Sequence, residues 1–185
     1  MKKIFWVLGA PGSGKGTLRE LVKKKHKTGY VCAGDLLRSS KDPEILSMVE
    51  RGLLIPGKKV SDLVIDAKNA QKEDIVLFDG FPRTPEHYNT LTKTETDPVV
   101  FIVWLHCEDA VCVERIIKRE MAGDKRTDIS EEAMQTRLEC FRKETMSLFE
   151  LARADSIPCH EINTTKKMPE EVLQAFEEIY TGYGF

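Results

Sequence analysis

An apolar run, Ile4-Phe5-Trp6-Val7-Leu8, breaks off into Gly9-Ala10-Pro11-Gly12-Ser13-Gly14-Lys15-Gly16-Thr17, and a helical pattern takes over from about residue 15. Few folds accommodate such a junction. The run shows no polar alternation, so it reads as a strand buried on both faces, which calls for a parallel sheet covered by helices. The glycines let the backbone curl so that successive N–H groups point inward, and the helix that follows brings the positive end of its dipole to the same place. A turn of this kind between strand and helix is the setting of a phosphate-binding loop. In it, Gly12, Ser13, Gly14, Lys15, Gly16 and Thr17 form the expected cradle for the phosphates of ATP. Lys15 reaches the β- and γ-phosphates, and the Thr17 hydroxyl is a ligand for Mg²⁺.

The rest of the chain supplies the sheet. Ile75–Phe78 and Val99–Leu105 are further continuous apolar runs, and Tyr30–Cys32 and Cys159–Ile162 are weaker ones. Helical spacing recurs at about 15–27, 43–51, 59–72, 108–121, 130–154 and 169–180. Strands alternating with helices predict an α/β fold. Neither a repeat nor a low-complexity linker divides the 185 residues, so one domain is expected. The basic run Lys23–Lys27 reads as a solvated helix C-terminus. A formal net charge of −2 speaks against a general nucleic-acid binder, so an anionic ligand must be met by locally gathered cations. The five cysteines are scattered, with no CxxC pair and no zinc-ligand spacing. They read as reduced thiols of a cytoplasmic protein. The N-terminal apolar run stops too early for a signal peptide, and no run approaches the roughly 20 residues that span a bilayer. A phosphate-binding loop serves GTPases, ATPases and kinases alike, but no N/TKxD guanine-reading motif is present: Thr92–Asp97 and Asn163–Lys167 do not fit it.

Three motifs in order, Gly9–Thr17, Gly34-Asp35-Leu36-Leu37-Arg38 and Asp79-Gly80-Phe81-Pro82-Arg83, give the chain a resemblance to the adenylate kinase and UMP/CMP kinase family over essentially its whole length. Arg115, Arg119, Arg126 and Arg137 continue the pattern. The resemblance implies a three-layer fold of the P-loop nucleoside triphosphate hydrolase type with a five-stranded parallel sheet flanked by helices. It also implies an acceptor-binding insertion near 33–62, a short lid near 119–130 without the zinc-binding extension, and a monomer. The activity implied is transfer of the ATP γ-phosphoryl group to a nucleoside monophosphate, with Mg²⁺ as cofactor and no zinc.

That chemistry asks for cations more than for a base. The acceptor phosphate is already anionic, and the transition state spreads charge over oxygens, which arginine binds bidentately without deprotonating. From the resemblance, Arg38 and Arg83 hold the acceptor phosphate, Arg119, Arg126 and Arg137 close over the transferring group, and Arg115 lies near the ATP base and phosphates. Asp79, at a strand end, orients the water shell of Mg²⁺, with Asp35 a second candidate or, equally, a helix N-cap. Asp128 resembles a lid acid, beside an off-pattern Ile129. For the acceptor base, Ala33, Leu53, Leu54, Ile55, Gly80, Phe81, Pro82 and His87 are the expected contacts. Ala33 leans toward a pyrimidine, whereas His87 stands where relatives place Gln or Asn and cannot copy a bidentate amide. Leu18 departs from the usual Gln, and Gly57-Lys58-Lys59 makes the mouth of the acceptor site more basic than in relatives. AMP is preferred as acceptor because adenylate kinases are the commonest members of the group, with UMP or CMP the alternative. A nucleotide-binding sensor that has lost turnover is the competing reading from another class.

Overall fold

The computed structural model describes residues 1–123 and 131–185. Its elements are β1 (Lys3–Gly9), α1 (Lys15–Lys25), β2 (Gly29–Cys32), α2 (Ala33–Arg38), α3 (Pro43–Glu50), α4 (Gly57–Asn69), β3 (Ile75–Asp79), α5 (Pro85–Thr94), β4 (Val99–His106), α6 (Asp109–Met121), α7 (Glu131–Cys140), α8 (Leu148–Ala154), β5 (Cys159–Asn163) and α9 (Pro169–Gly182). The five strands of the described residues form one parallel sheet, as the resemblance implies, and their order is β2-β3-β1-β4-β5.

Side chains of β1 alternate between two cores. Ile4, Trp6 and Leu8 face the layer built from α2–α5 and α8, and Phe5 and Val7 face α1 and α9. Both faces are therefore buried, which explains the unbroken apolar run. Trp6 meets Tyr88 of α5 edge-on at 5.7 Å, and Phe5 stacks on Phe101 at 5.0 Å. Leu18, the departure after the phosphate loop, is 2% exposed and belongs to the second core. Burial under the loop accounts for its apolar character.

Two helices are absent from the helical spacing of the sequence, although the N-cap alternative for Asp35 supposes a helix just after it. α2 is six residues long, too short to show a period. α5 carries a start signal, with the Thr84 side chain accepting a hydrogen bond from the His87 N–H and Pro85 in the first turn, but few apolar positions. The predicted helix 130–154 is also not continuous. After α7 the chain passes through a wide-turned segment, Phe141–Thr145, and a turn at Met146–Ser147 before α8. Such π-type turns often mark functional positions. No described helix is long and apolar enough to cross a membrane.

Candidate active site

The phosphate loop leaves the C-terminal end of β1, the central strand. β1 lies between β3 and β4, where the strand order reverses, the usual place for a ligand in an open parallel sheet. A cleft of about 880 Å³ opens there, of a size that takes small ligands. Gly12 has φ +83°, and a Cβ on it would come within 2.3 Å of the Cys112 carbonyl oxygen, so both backbone and space demand glycine. A Cβ at Gly14 or Gly16 would meet nothing within 4 Å, and the buried Ser13 hydroxyl has no hydrogen-bond partner among the described residues. An open cradle beside an unsatisfied donor suits a phosphate. The Lys15 ammonium donates to the carbonyls of Gly9 (2.7 Å) and Ala10 (2.8 Å). Burial lowers its pKa to about 8, against the opposing pull of Asp79.

Arg115, on α6, is braced to this loop. Its guanidinium donates to the Thr164 carbonyl at 2.7 Å, and the Thr164 hydroxyl donates to the Ser13 carbonyl at 3.0 Å. Arg119 lies one turn further along α6 and also lines the cleft.

On the other side, Gly80 (φ +68°) turns the chain after β3 and brings Arg83 back, so that Arg83 Nε donates to the Gly80 carbonyl at 2.7 Å. The peptide between Phe81 and Pro82 is cis. Arg83 is held through its backbone as well. Its N–H donates to His87 Nδ1 at 3.2 Å, and its carbonyl accepts from the Thr145 hydroxyl at 2.8 Å. Burial, and then the neighbouring Arg137, lower the Arg83 pKa. Two guanidiniums kept this close are expected to attract an anion between them. Arg137 also donates to the Val49 carbonyl at 3.2 Å, and Arg38 donates to Asp35 at 2.6 Å.

Lys15, Thr17, Asp35, Arg38, Leu53, Leu54, Asp79, Gly80, Pro82, Arg83, Arg115, Arg119 and Arg137 thus line one cleft, together with Gly12, Ser13, Gly14 and Gly16. Ala33, Ile55, Phe81 and His87 do not. Each is buried behind the wall. His87, expected to read the acceptor base, is 3% exposed and spans the Arg83 N–H and the Ile55 carbonyl. Because Nδ1 accepts from Arg83, Nε2 carries the proton and donates to Ile55 at 2.8 Å. The ring is neutral, and burial lowers its pKa. The same bond engages the Ile55 carbonyl, the oxygen expected to meet a base amino group. Nor do Lys58 and Lys59 make the mouth basic. They lie outside the cleft lining, and Lys59 pairs with Glu44 (2.8 Å) and Asp42 (3.6 Å) while Lys58 pairs with Asp62 (3.9 Å). Arg126, Asp128 and Ile129 lie outside the described residues.

Asp35 and Asp79 converge. Their Oδ2 atoms lie 3.2 and 3.1 Å from one nitrogen, Nη1 of Arg19. Hard oxygen donors in a cleft with Thr17 suit Mg²⁺, which keeps most of its water and needs few carboxylates. Asp35 is not the N-cap of α2, a place taken by Cys32, and lies within the first turn. Arg19, Thr145 and Thr164 were missed in the sequence. Arg19 had a signal, its position four residues after Lys15 on one helical face. The two threonines had none, because they act through tertiary contacts.

Known proteins resemble this chain over the same region. The sequence model of the family described as adenylate kinase matches residues 7–156. The chain is 31% identical over 160 residues to a UMP-CMP kinase 2 of Caenorhabditis elegans, covering 81% of this chain and 82% of that one. It is 32% identical over 156 residues to an adenylate kinase of a Sulfurovum species, covering 76% and 79%. An adenylate kinase of Nautilia profundicola aligns over 190 residues at 29% identity, covering 96% of this chain and 98% of its own.

Proposed function

This chain belongs to the adenylate kinase family of ATP-dependent nucleoside monophosphate kinases, and we propose that it moves the γ-phosphoryl group of ATP to AMP, giving two molecules of ADP. The observation that carries the reading is the meeting of the phosphate loop with Lys15, Arg38, Arg83, Arg115, Arg119 and Arg137 around one cleft. An acceptor phosphate oxygen forms a bond to the γ-phosphorus as the bond to the β,γ-bridging oxygen breaks, and the electron pair leaves on the β-phosphate of ADP. No proton has to be removed from the acceptor. Charge spread over the transferring oxygens is the chief difficulty, and preset cations answer it.

Lys15 leaves its two carbonyl partners for the β- and γ-phosphates. Arg38 and Arg83 hold the acceptor phosphate, and Arg119, Arg126 and Arg137 gather around the transferring group while Arg115 steadies the ATP side. Thr17 and, through water, Asp79 and Asp35 would hold Mg²⁺, which would supply neutralisation of phosphate charge there. All five cysteines are free, which suits a reducing compartment such as the cytoplasm.

AMP is preferred because adenylate kinases are the commonest members of the group, and adenylate kinases are among the relatives of this chain. A pyrimidine monophosphate is the second reading, supported by the UMP-CMP kinase relative. A coupled assay with Mg·ATP and a panel of AMP, CMP, UMP, dCMP and GMP tests both. AMP should turn over with the highest kcat/KM. Preference for UMP or CMP selects the second reading, and tight ATP binding without any diphosphate product would mark a sensor.

A further inference from the structure

Arg19 has no part in the transfer just described, yet it sits at the centre of the acids assigned to the metal. It lies on α1 one turn beyond Lys15, and its side chain is 16% exposed. A single nitrogen, Nη1, stands 3.1 Å from Asp79 Oδ2 and 3.2 Å from Asp35 Oδ2. The group is held from two further sides. Nε donates to Glu20 at 3.2 Å, and the guanidinium lies over the Tyr30 ring, 5.4 Å from its centre. The Asp79 side chain is 8% exposed, so its charge has little water to rely on. Asp35 takes its other bond from Arg38, through Oδ1. Both acids line the cleft, and Arg19 bridges one oxygen of each.

A guanidinium and a hydrated divalent cation are both positive, so the approach of one to this pair of oxygens disfavours the other. Each neutralises the repulsion between the carboxylates, and each brings them together. We propose that Arg19 is a positioning residue that competes with the divalent cation for Asp35 and Asp79, so that it sets how much free Mg²⁺ the protein requires. Arg19 keeps the acid pair neutralised and correctly spaced without metal, and yields the oxygens when the cation arrives with the nucleotide. The inference rests on the metal assignment made above, but not on which monophosphate is the acceptor.

The test uses Mn²⁺ as a spectroscopic stand-in for Mg²⁺. Binding to the whole protein without nucleotide is followed by electron paramagnetic resonance, for the native sequence, Arg19→Ala and Arg19→Lys. Removing the competitor should tighten Mn²⁺ binding about tenfold in Arg19→Ala, equivalent to about 1.4 kcal/mol. Arg19→Lys, a point charge on a shorter donor set, should fall between the two. Thermal unfolding supplies a second readout. Without metal Arg19→Ala should melt below the native protein, and Mg²⁺ should restore it by a larger increment than it gives the native chain. A purely structural role for Arg19 would lower the melting temperature without that metal-dependent recovery. Unchanged or weaker Mn²⁺ binding in Arg19→Ala, or equal Mg²⁺ increments, overturns the proposal. If turnover on the acceptor panel persists in either case, the kinase reading stands while this one falls.

Discussion

Lys15 shows how far a single side chain can be set against its own stability. Burial lowers its pKa from 10.5 to about 8, so the folded protein binds this proton less tightly than the unfolded chain. Between those values stability rises with pH, and at neutral pH the buried charge is a cost. Lys15→Met should therefore abolish most transfer, by a factor of about 10²–10³, while melting a few °C higher than the native protein. Activity assay and calorimetry on the same sample check both halves. ATP affinity of the native protein should also fall as pH rises past about 8. His87 carries the opposite lesson for reading sequences. Its place after Arg83 suggests contact with a base, but its two ring nitrogens are used up by the backbone of Arg83 and Ile55. His87→Leu should cost about 1–3 kcal/mol for each partner left unpaired. His87→Gln, whose amide offers one acceptor and one donor, should keep most of the stability and leave acceptor preference unchanged. Since burial lowers the pKa of this ring, its contribution is present above the unfolded value near 6.5 and is lost as pH falls below it. Urea titrations from pH 7 to pH 5 should show that loss in the native protein and a flatter curve in His87→Gln.

At the scale of elements, helices on the acceptor side are joined by polar contacts as well as apolar ones. Lys68, near the end of α4, donates to Glu95 at 2.8 Å and Asp97 at 2.5 Å just beyond α5, with its side chain only 4% exposed. Burial opposes the lysine charge, but the bonds to Asp97 and Glu95 outweigh it and raise the pKa. Lys68→Ala would strand two carboxylates in a poorly hydrated place and should cost about 3–5 kcal/mol in denaturant titration. The start of α4 is held in a similar way, by Glu86 of α5 accepting from the Gly57 N–H at 3.1 Å. The strands β1, β3 and β4 were legible from sequence because burial leaves a nearly unbroken apolar signal, whereas the edge strands β2 and β5 gave weaker runs, and in β5 only Ile162 is buried. Helices α2 and α5 were not, since one is too short for periodicity and the other depends on its cap. The break between α7 and α8 was hidden for a related reason. Its wide turns bring Thr145 to the Arg83 carbonyl, a contact more than sixty residues away in sequence.

For the whole molecule, the cations of the cleft were readable because ordered motifs place Lys15, Arg38 and Arg83 just beyond the ends of β1, β2 and β3, where topology brings them together. Base recognition was not, because it depends on which side chains turn inward, and Ala33, Ile55, Phe81 and His87 all turn away from the cleft. A chain with formal charge −2 nonetheless gathers several cations at one opening. Ligand binding should therefore stabilise the entire fold. With a non-hydrolysable ATP analogue at about 100 times its Kd, the gain should be about 2.7 kcal/mol, and adding a monophosphate should raise it further. Scanning calorimetry with each ligand alone and with both checks this, and the increments should shrink as salt screens the cleft.

The peptide unit of Arg83 is gripped at both ends, by His87 on α5 and by Thr145 beyond α7. Arg137, on α7 itself, reaches over to the Val49 carbonyl. Both arginines are thus tied to the segment that runs from α7 through Thr145, Arg83 by its backbone and Arg137 by its place on α7. Removing a single methyl and hydroxyl there, Thr145→Ala, would loosen the backbone that carries Arg83 through a change made outside either guanidinium.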